Sequence, residues 1–327
     1  MKKTLLLFSL FVISFFANAQ KKQNTYFFKD NGKEVELKDS ADFIRIIQEP
    51  DSGDKKFILQ EFYMNGTRKT IGKISSFIPK IAFEGLVISY HRNGLKKSSI
   101  FYEKDVPVGK SYHFFENGKL QKELEYLPKE IVKNKSAEPD FGPRFKLVYQ
   151  VDSLGKVYVT EGNGHLIEYT KTKEDTLIEE GDYKDGFKDG VWKGKYVSGK
   201  SSYVENYALT KLVSGVNTVD GKIYEYTTLG SPPKYKGGVD VFYRYLANTV
   251  KYPRDAFSND ITGSVVVSFI VEKDGKVSGA KVDKPVYPSL DKEAIRVVMA
   301  SPKWMPGMQR GVPVRVKYNI PINFSMQ

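Results

Sequence analysis

The stretch Val312-Pro313-Val314-Arg315-Val316-Lys317-Tyr318-Asn319-Ile320-Pro321-Ile322-Asn323-Phe324 decides the fold of the carboxyl-terminal part of the chain. It alternates without a fault. Val312, Val314, Val316, Tyr318, Ile320, Ile322 and Phe324 share one parity; Pro313, Arg315, Lys317, Asn319, Pro321 and Asn323 share the other. Period two over this length predicts one long strand with a buried face and a wet face. The prolines add a constraint. In a strand, the N–H and C=O of one residue point to the same side, and those of the next residue to the opposite side. Pro313 and Pro321 therefore lack an N–H on a common edge, and proline is tolerated only where no ladder bond is needed. The stretch reads as an edge strand whose open side is lined by Arg315, Lys317 and Asn319. Charges and prolines blunt an edge against aggregation. They equally suit a rail on which a partner peptide adds a strand. Pattern alone leaves both readings open.

Upstream, Ser231-Pro232-Pro233-Lys234 reads as a linker. Val239, Phe242, Leu246 and Val250 then recur at helical spacing, and the helix ends before Tyr252-Pro253. Gly263 to Val271 is a strand, Lys273-Asp274-Gly275-Lys276 a hairpin turn, and Val277 to Val282 the returning strand, with Gly279 at a bulge. Ser289 is the expected N-cap of a second helix with Asp291 and Glu293 in its first turn. Leu290, Ala294, Val297 and Val298 form its buried stripe, and Pro302 ends it. The order helix, strand, strand, helix, strand predicts a three-stranded antiparallel sheet packed on two helices.

These residues carry a resemblance. Tyr252-Pro253, Gly263, Asp274-Gly275, Leu290-Asp291-x-Glu293-Ala294, Pro302-Lys303-Trp304-x-Pro306-Gly307 and Pro313-Val314…Tyr318-x-x-Pro321-Ile322-x-Phe324 resemble the TonB C-terminal domain, over about Tyr235 to Phe324. The resemblance implies a periplasmic module that takes the short TonB-box peptide of outer-membrane transporters as an added strand. The expected peptide-binding edge is Arg315, Val316, Lys317, Tyr318 and Asn319, with basic side chains suited to acidic peptide flanks. Tyr252, Pro253, Trp304 and Pro306 are the family motif positions. The chain departs from TonB proper, which has an uncleaved membrane helix and a proline-rich spacer.

In place of that spacer, the middle of the chain repeats itself. Phe62-Tyr63-Met64-Asn65-Gly66, Tyr90-His91-Arg92-Asn93-Gly94 and Phe114-Phe115-Glu116-Asn117-Gly118 each place Asn-Gly after aromatics. Asn-Gly is the strongest short hairpin signal, because both positions tolerate positive φ. A period in the twenties with one hairpin per unit predicts stacked hairpins in an extended sheet. Gly85…Tyr90…Asn93-Gly94, Gly109…Phe115…Asn117-Gly118 and Gly181-Asp182-Tyr183…Gly190-Val191-Trp192 resemble MORN repeats in a degenerate form. That resemblance implies an interaction or spacer module. Pro128 to Pro143 reads as a loop between repeat groups, and Ser40 to Ile47 as a short capped helix.

Met1 to Ala19 has the outline of a cleaved secretory signal: Lys2 and Lys3, an apolar run to Phe16, and Ala17-Asn18-Ala19. No later stretch is apolar enough to span a bilayer. The absence of cysteine excludes disulfides, thiol nucleophiles and thiolate metal sites. The net charge is +12, and from Lys234 onward 15 basic residues face 8 acidic ones. The cations are spaced singly and not interleaved with stacking aromatics, so nucleic acid is not the expected partner. His91, His113 and His165 form no metal-ligand pattern, and Asp182, Asp185 and Asp189 lack the order of a calcium loop. No nucleophile elbow and no phosphate loop appears.

The expectation is a mostly β chain: a signal peptide (1–19), an N-terminal region (20–80), MORN-like hairpin repeats (81–230) and a TonB C-terminal-like α+β domain (231–327). The expected role is non-enzymatic and needs no cofactor or metal. The partner would be an outer-membrane TonB-dependent transporter or another envelope protein. Two alternatives stand beside it: an anchored energy transducer, and a structural or cell-surface repeat protein.

Overall fold

The computed structural model of the chain describes residues 22–128, 144–208 and 211–326. The expected signal peptide and nearly all of the expected Pro128–Pro143 loop lie outside the described residues. The chain divides into two compact units, one running to Lys119 and one starting at Leu120.

The first unit is a meander of antiparallel strands: β1 (Gln23–Phe28), β2 (Glu34–Val35), β3 (Phe43–Gln48), β4 (Phe57–Tyr63), β5 (Arg68–Ser76), β6 (Ala82–Tyr90), β7 (Lys96–Glu103) and β8 (Val106–Phe114). From β3 to β8 each strand pairs with the next, while β1 pairs with both β2 and β3. Alternation supplies the core: Ile47, Leu59 and Ile74 are buried, with Tyr26, Phe57, Phe77 and Phe83 packed around them. The expected helix at Ser40–Ile47 is instead a 3-10 turn, Lys38–Ser40, followed by β3. Phe43, Ile44, Ile46 and Ile47 favour strand. Full-length pairing with β1 and β4 gives their backbone partners that an isolated helical turn lacks.

The Asn-Gly turns differ from the expected two-residue form. At Asn93-Gly94 only the glycine takes a positive φ, 85°. Gly94 N–H donates to the His91 carbonyl at 2.9 Å and His91 N–H to the Leu95 carbonyl at 2.8 Å. This is a four-residue turn closed by a left-handed glycine. The Asn side chain explains the choice, since it accepts the N–H two residues on at Thr67, Leu95 and Lys119, each at 3.0 Å. Its amide also reaches the next turn: Asn65 donates to the Arg92 carbonyl at 3.3 Å, and Asn93 to the Glu116 carbonyl at 2.6 Å. Two-residue turns with positive φ at both positions fall at other dipeptides, such as Asp185-Gly186 and Arg310-Gly311.

The second unit opens with a further run of consecutively paired antiparallel strands: β9 (Leu120–Tyr126), β10 (Phe145–Val151), β11 (Val157–Thr160), β12 (Asn163–Lys171), β13 (Thr176–Lys184), β14 (Phe187–Tyr196), β15 (Ser201–Ala208), β16 (Lys211–Val219) and β17 (Lys222–Tyr226). Glycines make room for aromatic rings on neighbouring strands. A Cβ on Gly181, Gly194 or Gly215 would lie 2.4, 2.1 or 2.3 Å from Trp192, Tyr203 or Tyr226.

The α+β part follows: β18 (Gly230–Ser231), α1 (Val239–Thr249), α2 (Arg254–Ser258), β19 (Gly263–Val271), β20 (Val277–Lys284), α3 (Pro288–Met299), β21 (Gly307–Gln309), β22 (Val312–Val314) and β23 (Val316–Phe324). The antiparallel sheet runs β20-β19-β23. Its buried face, including Val265, Val267, Phe269 and Ile322, packs with Phe242 and Leu246 of α1 and Leu290 and Val297 of α3. The β19–β20 register shifts between Ser268 and Ile270, opposite Gly279, whose φ is 59°. That is the expected bulge.

Two details differ from expectation. Helix α3 starts with Pro288 at its first turn and Tyr287 as N-cap, because a proline there is preset to helical φ. Ser289 Oγ is buried without a hydrogen-bond partner among the described residues, and Asp291 accepts Val286 N–H at 3.0 Å instead. The long last strand is also broken at Arg315. Val312–Val314 folds back on Gly307–Gln309 across the tight turn at Arg310-Gly311 and joins the small sheet β18-β21-β22. Pro313 and Pro321 thus lie in different sheets and share no edge.

Candidate functional site

The last strand, β23, is built by alternation: Ile320, Ile322 and Phe324 are buried, and Lys317, Asn319, Pro321 and Asn323 exposed. It pairs with β19 over its whole length, Val316 opposite Val271 through Phe324 opposite Gly263. Among the described strands it borders no other. Pro321 settles which backbone groups face outward. It stands opposite Val266 and has no N–H, so that pair is a non-hydrogen-bonded one. By alternation, Val316, Tyr318, Ile320 and Ile322 bond to β19. Lys317 and Asn319 turn both N–H and C=O to the open side, and Pro321 its carbonyl.

The cations of the strand are engaged on the sheet's outer face. Arg315 grips the Glu272 carboxylate with two hydrogen bonds, Nε to Oε2 at 2.7 Å and Nη2 to Oε1 at 3.0 Å. These bonds, followed by that from the Ser278 hydroxyl, hold the Glu272 carboxyl below the usual range. Lys317 Nζ lies 3.5 Å from Asp283. The Ser268 hydroxyl donates to Asp283 at 2.9 Å and is the foremost cause of its lowered pKa, with Lys317 adding to it.

The motif residues support the strand from behind. Trp304 is buried with Tyr235, Phe242, Phe269 and Tyr318 around its ring, all at centroid distances of 5.1 to 5.5 Å. It therefore packs the core beneath Tyr318. Tyr252 meets Phe324 edge-on at 5.8 Å, and its hydroxyl donates to the Ile261 carbonyl. Pro253 is the N-cap of α2. Pro306 follows Met305, which exchanges two backbone hydrogen bonds with Lys234 at 2.8 and 3.0 Å. The structure thus gathers Arg315 to Asn319 at one edge, with Trp304 under it, and leaves Tyr252 and Pro253 at the far end. Of the aspartates Asp182, Asp185 and Asp189, the first accepts a hydrogen bond from the exposed His165 at 2.6 Å and the second occupies a turn. Arg310 carries no turn signal in the sequence, since two-residue hairpin tips favour Asn-Gly, Asp-Gly or Gly-Gly and not Arg-Gly.

Residues 248–326 match the family described as Gram-negative bacterial TonB protein C-terminal. The fold of this segment is accordingly that of a TonB C-terminal domain, set behind a mostly β region. No match was found among curated proteins. No helix among the described residues is long and apolar enough to cross a membrane.

Proposed function

We propose that the chain is a non-enzymatic binding protein of the cell envelope with a TonB-like role in transport. Its carboxyl-terminal domain takes an extended segment of an outer-membrane TonB-dependent transporter as an additional strand along β23. Export through a cleaved signal at 1–19, a MORN-like repeat region at 81–230 and a domain beginning near Ser231 belong to the same reading. The observation that carries it is the one-sided pairing of β23, whose outward N–H and C=O groups at Lys317 and Asn319 meet no neighbouring strand among the described residues and could ladder with a guest backbone. Recognition then rests first on main-chain hydrogen bonds, because Arg315 and Lys317 already have acidic partners.

The test is a titration of the 15N-labelled chain with a TonB-box peptide. Amide shifts concentrated at Lys317, Asn319 and Asn323 support the reading. Lys317→Pro and Asn319→Pro each delete one outward donor and are expected to weaken binding about tenfold or more. Binding that leaves these amides unmoved, or that both proline variants retain in full, overturns it.

A further inference from the structure

The tip of the β21–β22 hairpin is seated on the repeat sheet. Arg310 Nε donates to Glu205 Oε1 at 2.8 Å, and the Arg310 guanidinium stacks on the Tyr203 ring at 3.8 Å from its centroid. Glu205 has no solvent exposure. Its two oxygens also accept the hydroxyls of Tyr226 at 2.7 Å and Tyr207 at 3.0 Å. A second carboxylate, Glu179, stands 4.0 Å from Arg310 Nη2 and is shared with Lys188 at 3.0 Å. The tip's backbone is held as well. Arg310 N–H donates to the Leu229 carbonyl at 2.9 Å, and the Asn217 amide to the Arg310 carbonyl at 3.2 Å. Gly311 sits so close that a Cβ there would lie 3.0 Å from Tyr224.

A carboxylate without solvent is costly unless a cation and further donors satisfy it. Tyrosine hydroxyls supply donors but no charge, and the sheet's own Lys188 is engaged by Glu179, so the cation that meets Glu205 is Arg310. The guanidinium carbon lies over the Tyr203 ring while Nε bonds Glu205 and Nη2 approaches Glu179, three contacts in different directions that a guanidinium meets better than an ammonium. We propose that β13, β15, β16 and β17 form a guanidinium receptor for the hairpin tip, and that this seat holds the TonB C-terminal domain in one fixed pose on the repeats. The repeat sheet is then a receptor for the domain and not a passive spacer. Only the short strand β22 and Arg315 separate the seated tip from β23, while β23 itself is held by its pairing with β19.

The experiment uses the full chain and the variants Arg310→Met, Arg310→Lys and Glu205→Gln, each checked for native near-ultraviolet circular dichroism. 15N relaxation reads whether residues 248–326 tumble with residues 144–226, and trypsin reads access to Lys234 and Lys236. In the wild type one tumbling time is expected for both segments. In Arg310→Met and Glu205→Gln the carboxyl-terminal segment should tumble faster by itself, with tryptic cleavage raised about tenfold. TonB-box peptide binding, tested separately, should be retained, so failure here is distinct from failure of the docking role. Arg310→Lys, which keeps the charge without the fork, should release the domain in part. The same wild-type tumbling time and cleavage rate in Glu205→Gln and Arg310→Lys would overturn the proposal, whether or not Arg310→Met folds.

Discussion

The backbone N–H of Trp304 donates to the carbonyl of Gly275 at 2.8 Å, across a gap with no room for a side chain. A Cβ on Gly275 would lie 2.0 Å from the Trp304 carbonyl oxygen, and Gly275 holds φ at 82°. The turn between β19 and β20 is thereby fastened to the segment that places Trp304 under Tyr318.

Gly275→Ala is expected to destabilise the carboxyl-terminal domain by at least about 2 kcal/mol, combining left-handed strain with a clash against backbone. Trp304→Ala should cost more, about 3–5 kcal/mol, because it empties the centre of the aromatic cluster. Urea denaturation followed by near-ultraviolet circular dichroism measures both. A Gly275→Ala variant as stable as wild type would show that the turn is not pinned to Trp304.

The parity of β23 gives a sharper prediction about stability. Proline at Lys317 or Asn319 removes an N–H that faces the open side, as Pro321 already does. Each should cost no more than about 1 kcal/mol. Proline at Ile320 removes a bond to β19 and a buried side chain, and should cost about 3 kcal/mol or more. Comparable losses at all three positions would mean that odd residues of the strand are paired.

Much of this was legible in the sequence. Strand β19 and the stripe Leu290, Ala294, Val297 and Val298 follow from apolar period alone; the edge character of β23 follows from Pro321, while Pro313, taken to share that edge, lies in another sheet. The break at Arg315 was not, because alternation continues unbroken through two strands that belong to different sheets. Only the Arg310-Gly311 turn redirects them. Ser289 has the residue type of a cap, but Pro288 presets the helix two residues earlier, with Tyr287 at the N-cap. The Arg310 seat was invisible because Glu179, Tyr203, Glu205 and Tyr226 are ordinary strand residues until pairing brings them together.

Among the described residues of the first unit, Glu61 is the buried charged side chain. Its side chain is 6% exposed and is held by Arg45 at 2.7 Å and Lys69 at 2.9 Å. Burial alone would raise its pKa, but Lys69 and then Arg45 outweigh burial and leave it lowered. A carboxyl with a depressed folded pKa contributes stability above its unfolded value, about 4.3, and loses it as pH falls through the folded value. Glu61→Gln should destabilise this unit by about 3 kcal/mol at pH 7, leaving two cations without their carboxylate. The deficit relative to wild type should hold between pH 7 and pH 5 and shrink at lower pH. A deficit that persists unchanged in acid would assign the role of Glu61 to shape and not to charge.

The ion pairs on the outer face of β23 lead to a prediction about selectivity. Arg315 and Lys317 are held by Glu272 and Asp283, so their charge is largely spent within the domain. On the docking role proposed above, wild-type protein should therefore prefer a TonB-box peptide with acidic flanks over one with neutral flanks by only about threefold, within the range of exposed ion pairs. Glu272→Gln and Asp283→Asn free the two cations without touching the edge backbone. The double variant should bind the acidic peptide more tightly and leave the neutral peptide unchanged, with the difference fading as salt is raised. Isothermal titration at low and high salt measures this. Equal gains for both peptides would show that the substitutions loosened the edge instead of unmasking its charge.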